Sequence, residues 1–96
     1  MAKTRHIKYT FNQTDFIFKL EECPVSGDYL PHVYIRHLLN PSQVMAAYFN
    51  QTSKVFNRLR DRWEIYSASD NITVYYILLK DNSIYIITAF EGVSYK

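Results

Sequence analysis

Glycine is almost missing from this chain, with two among 96 residues, and cysteine occurs once. So few glycines exclude a glycine-rich loop that could cradle a phosphate, and no Gly-x-Ser-x-Gly elbow occurs, which argues against nucleotide-hydrolase and serine-hydrolase chemistry. The single thiol, Cys23, excludes an intrachain disulfide and in so small a protein points to a reducing compartment, so a cytoplasmic location is expected. No apolar run approaches the roughly 20 residues of a membrane span, and the stretch Met1-Ala-Lys-Thr-Arg-His6 lacks the apolar segment of a secretory signal. No membrane partner is expected. The available metal ligands, His6, His32, His37 and Cys23, form no pair at zinc-site spacing, so neither a metal nor another cofactor is expected.

A strong excess of either charge is also lacking. The net charge is +2 and the isoelectric point about 8.7, so any case for a polyanionic partner rests on where the cations sit. Three Asn-x-Thr sequons, at Asn12, Asn50 and Asn71, read as turn chemistry, because Asn and Thr are common turn residues.

What the chain does have is apolar material. Hydrophobic residues make up 48% and aromatics 17%, enough for one core, so residues 1–96 are expected to form a single domain. Residues 7–11 and 15–20 are β-rich runs joined by Asn12-Gln13-Thr14, predicting an N-terminal hairpin over about 7–20. Pro24, Gly27 and Asp28 break the pattern. Residues 30–39 then read as a short helix with Pro31 in its first turn. Asn40-Pro41 supplies the N-cap and first position of a second helix, giving a helical pair over about 30–57. Residues 52–62 fit either the end of a helix or the approach to a strand. The runs at 63–68, 73–79 and 84–90 predict a C-terminal meander over about 63–90, its last two strands joined by Lys80-Asp81-Asn82-Ser83. The expected class is α+β, two short helices packed on an antiparallel sheet in the order β-β-α-α-β-β-β.

Several residues in this frame could carry chemistry. His32 and Arg36 share a helix face, whereas His37 lies about 140° from His32. A histidine titrates near neutrality and can exchange a proton with a ribose hydroxyl or a departing oxygen, while an arginine fork stabilises a charged phosphorane. Without such a partner, His32 and Arg36 are a solvated helix end and His37 packs under the following loop. Arg58, Arg60 and Arg62 alternate, so an extended backbone sends all three to one side as phosphate ligands, or as ordinary edge protection. A helix sends Arg60 away from the other two. Among the tyrosines, Tyr66 and Tyr75 are candidates for base stacking; Tyr75 and Tyr76 fall on opposite sheet faces, and one of the two is expected to be exposed. Thr88, alternating with Ile86 and Phe90, needs a partner for its hydroxyl, across the strands or on a phosphate.

Taken together, His32-x-x-x-Arg36-His37, Asn40-Pro41-Ser-Gln-Val44 and the closing Ile84-Tyr-Ile-Ile-Thr-Ala-Phe90 resemble small toxins of the RelE and BrnT kind, within the barnase, EndoU, colicin and RelE type of ribonuclease fold. The resemblance covers roughly residues 31–91 and rests on short motifs. It implies a metal-independent endoribonuclease that inhibits translation or growth and is neutralised by a cognate antitoxin or immunity protein. On that reading His32, His37, Arg36, Arg60 and Thr88 are catalytic, and Arg58, Arg62, Tyr66 and Tyr75 bind RNA. The chain departs from the pattern in its N-terminal hairpin and in lacking a dense basic C-terminal tail. The alternative is a non-catalytic protein-binding module, such as a mobile-element inhibitor or an immunity partner, that uses its sheet edge and aromatics.

Overall fold

In the computed structural model, which describes residues 5–93, Asn12 and Gln13 both take positive φ, 54° and 64°, and form the two-residue turn that suits right-handed strand twist. The turn joins β1 (Arg5–Phe11) to β2 (Thr14–Glu22), with Phe11 opposite Thr14, so the hairpin loop is one residue shorter than expected. Alternation puts Phe16 and Phe18 on the inner face of β2, where both are fully buried and Ile7 and Tyr9 of β1 pack against them.

After the break at Pro24, β3 (Tyr29–Pro31) pairs back onto the end of β2, with Leu30 opposite Glu21. Leu30 and Pro31 are therefore extended, and α1 (His32–His37) starts two residues later than its sequence suggests. It closes with Leu38 in the left-handed region at φ 59°, the Leu38 and Leu39 N–H groups donating to the carbonyls of Tyr34 and Val33. Helix α2 (Pro41–Phe49) starts as expected, with Pro41 in its first position and Gln43 Oε1 accepting from the Asn40 backbone N–H at 2.8 Å. It buries Val44, Met45 and Ala47.

The expected helical pair does not run to residue 57. Helix α2 stops at Phe49, and β4 (Ser53–Asn57) is a strand paired with β5 (Arg62–Ser67), because the aromatic Phe56 gains an edge-to-face contact with Trp63 across the ladder. A turn over residues 58–61 separates them. The meander then continues through β6 (Ile72–Leu78) and β7 (Ile84–Glu91), with Asn71 and Asn82 at positive φ in its turns.

The result is one α+β domain with two helices and a seven-stranded sheet among the described residues, in the order β1-β2-β7-β6-β5-β4 with β3 added to β2. β3 and β4 extend the expected element order, and the sheet is mixed because β2 and β7 pair in parallel, Phe16 to Phe18 against Ile84 to Ile86. The N-terminal hairpin thereby joins the main sheet. One face packs on α2, where Tyr48 meets Phe16 and Tyr76 edge to face above Ile65 and Val74. The ladder between β6 and β7 shifts at Tyr75/Tyr76, which pairs Tyr75 with Thr88 but Tyr76 with Ile86 and leaves Ile87 as the extra residue. The bulge corrects the expected alternation: Ile86 faces α2 with Ala89, while Thr88 and Phe90 face the other way. No helix among the described residues is long and apolar enough to cross a membrane.

Candidate catalytic cluster

Where β3 takes over from β7 as the neighbour of β2, α1 leaves the sheet and makes contacts with β2, β3 and β7. Val33 anchors it in the core. Its polar residues meet Glu21, which alternation places on the face of β2 opposite Phe16 and Phe18. Arg36 Nε donates to Glu21 Oε1 at 3.1 Å and Nη2 to Oε2 at 3.5 Å, a forked ion pair. His32 Nδ1 stands 3.3 Å from Glu21 Oε2, within ion-pair reach but without hydrogen-bond alignment. The Arg36 hydrogen bond, helped by His32, holds the Glu21 carboxyl below its ordinary range against the opposing effect of burial.

Helix α1 thus collects three of the expected residues. His32 and Arg36 converge on one carboxylate, as their shared face implies, and the His32 and His37 rings meet edge to face at 6.1 Å in spite of their angular separation. His37 also lies 6.1 Å from the ring of Phe90 on β7. Although His37 is exposed, partial desolvation of its ring, with the charges of His32 and Arg36, lowers its pKa from the ordinary histidine value. Thr88, on the same strand face as Phe90, has a buried hydroxyl with no hydrogen-bond partner among the described residues.

The arginines behave differently. Arg62 sits at the start of β5, its guanidinium 3.9 Å over the Tyr75 ring and its Nε 2.9 Å from Glu64 Oε2, which also accepts from Asn57. Its charge is already matched and its fork stacked. Tyr75 in turn touches Phe90 edge to face, so a run of ring contacts links Arg62 to His37. Arg58 and Arg60 lie in the turn between β4 and β5, so the continuous basic edge expected of an extended 58–62 segment does not exist, and that turn joins the two strands at the end of the sheet away from β2, β3 and β7, which α1 contacts. Tyr66 donates to Asn71 Oδ1 at 2.7 Å. Neither Tyr75 nor Tyr76 is exposed, contrary to expectation: Tyr76 lies under α2, where burial raises its pKa to about 12, and Tyr75 is covered by Arg62 and Phe90.

Glu21 is the site residue that sequence reasoning passed over. Its only local signal was a carboxylate at the end of a strand. Among the described residues, no group of three or more histidine, cysteine or acidic side chains is arranged to hold a metal ion. No protein-family model matches the chain, and neither does any curated protein or solved structure.

Proposed function

We propose that this protein is a toxin-like, metal-independent endoribonuclease acting on RNA in the cytoplasm and kept silent by a cognate antitoxin or immunity protein. The observation that carries the reading is the pair of α1 histidines, one beside a carboxylate and the other poised toward its neutral form. Neutral His37 accepts the proton of a ribose 2′-hydroxyl as that oxygen attacks the adjacent phosphorus. In its protonated form, charge-matched by Glu21, His32 gives a proton to the departing 5′-oxygen. The products are a 2′,3′-cyclic phosphate and a 5′-hydroxyl, so atoms and protons balance. Arg36 spends two of its five N–H donors on Glu21, and the rest are available to the phosphorane oxygens. The Thr88 hydroxyl is buried on the same sheet face, so this scheme gives it no contact with the phosphate. In this scheme Arg62 and Tyr75 brace the site from behind, and Arg58 and Arg60 take no part in the chemistry.

Inducible expression tests the proposal. Growth arrest with fragmented RNA carrying cyclic phosphate ends, abolished by His37→Ala and His32→Ala, is the expected result. Normal growth and intact RNA in cells holding soluble protein overturn it.

A further inference from the structure

The opposite end of the sheet carries a second surface, independent of the α1 cluster. β4 is the last strand, and among the described residues no strand pairs with its outer side. Edge strands are ordinarily guarded by proline, bulges or charges directed along the edge. Ser53-Lys-Val-Phe-Asn57 contains no proline, and its single charge, Lys54, is drawn over the Trp63 ring at 4.6 Å. Val55 is 61% exposed and Phe56 39%, on opposite faces of the strand, and Leu59 in the following turn is 97% exposed. The other edge, β1, differs: Arg5, His6 and Lys8 run along it, with Lys8 held to Asp15 at 4.0 Å. Beside β4, on the face away from α2, a hollow of about 220 Å³ is lined mainly by Ser53, Val55, Tyr66, Thr73, Tyr75 and Val93, together with Ile65 and with Glu64, whose carboxylate is already matched by Arg62 and Asn57.

Charge selects the occupant. Arg58 and Arg60 have no ion-pair partner among the described residues, and with Lys54 they outnumber Asp61, the one acidic residue of the turn. Pairing with β4 of a second copy brings like charges together, which disfavours self-association. Nucleic acid would use the arginines but leave Val55, Leu59 and the row of edge amides and carbonyls without complement. We propose that β4 and its turn bind an acidic, extended segment of a partner protein as an added strand, main-chain hydrogen bonds joining along the edge. An apolar side chain of that segment enters the hollow, and its carboxylates meet Lys54, Arg58 and Arg60.

Amide chemical shifts of the full-length protein provide the test, with a short peptide of alternating glutamate and valine as probe. The peptide should move the amides of residues 53–60 in a salt-dependent way, and its lysine-valine counterpart should not. The exposed double substitution Arg58→Glu with Arg60→Glu should weaken binding about tenfold or more, and Val55→Lys should do likewise by placing a charge on the edge. Circular dichroism checks that each variant is folded before its binding is read. Unmoved β4 amides, or equal response to the lysine peptide, overturn the proposal. So does an oligouridine that perturbs these amides when the acidic peptide does not, or a Val55-dependent dimer in sedimentation.

Discussion

Glu21 on β2 and Arg36 on α1 form a forked ion pair, with Nε to Oε1 at 3.1 Å, and His32 joins the same carboxylate from the first turn of the helix. One strand residue therefore orients two helix residues that differ in charge and in role. α1 is only six residues long, too short to be stable by itself, so its position depends on contacts of this kind and on Val33 in the core.

The pairing sets a pH dependence. The folded-state pKa of Glu21 is depressed, so the stability it contributes is fully present above the unfolded carboxylate value near 4.5 and is lost as pH falls through the lower folded value. In thermal melts between pH 7 and pH 3, Glu21→Gln should start with a slightly lower melting temperature and then show a shallower acid decline than the parent. Because Arg36 is largely exposed, the difference at neutral pH should be no more than a few degrees.

His37→Ala should reduce cleavage of an RNA oligonucleotide by roughly 10²- to 10⁴-fold, the usual contribution of a positioned general base, while leaving the melting temperature nearly unchanged. The pH profile of kcat/KM separates a base from a mere contact. Since the His37 pKa is lowered, the acidic limb of the parent should fall below the ordinary histidine value of 6.5, and that limb should vanish in the variant. A limb that persists unchanged assigns the base to another group.

Arg62→Ala should act on stability rather than chemistry. The substitution removes the stack on Tyr75 and one of the donors to the part-buried Glu64 carboxylate, for a cost of about 1–3 kcal/mol in chemical denaturation. Arg62→Lys should recover little of it, because an ammonium reproduces neither the planar stack nor the directed Nε–H. RNA cleavage per folded molecule should stay near the parent level.

Leu38 offers a stabilising change. At φ 59° a leucine suffers a left-handed strain of about 1–2 kcal/mol, and its side chain is 77% exposed, so little packing is lost on removing it. Glycine gives back about 0.5–1 kcal/mol through its greater freedom in the unfolded chain. Leu38→Gly should therefore gain about 0.5–1 kcal/mol, measurable as a higher denaturant midpoint at constant slope.

The sequence by itself determined the elements that depend on near neighbours. Apolar runs flanking Asn12, Asn71 and Asn82 made hairpins, since asparagine tolerates the positive φ that these turns use, and Asn40-Pro41 started α2 because both residues suit a helix N-terminus. The pairing of His32 with Arg36 on one helix face was local in the same sense. Tertiary structure decided what lay on the far side of each contact. Only the parallel union of β2 with β7, formed between residues distant in sequence, seats α1 against both Glu21 and Phe90. The bulge opposite Tyr75/Tyr76 turned Thr88 away from Ile86, and strand pairing with β5 drew residues 53–57 out of helix and placed Arg58 and Arg60 in a turn. A side-chain pattern records the faces of one element. Which acid an arginine meets depends on which strand lies beside it, and that is settled by burial of the whole core.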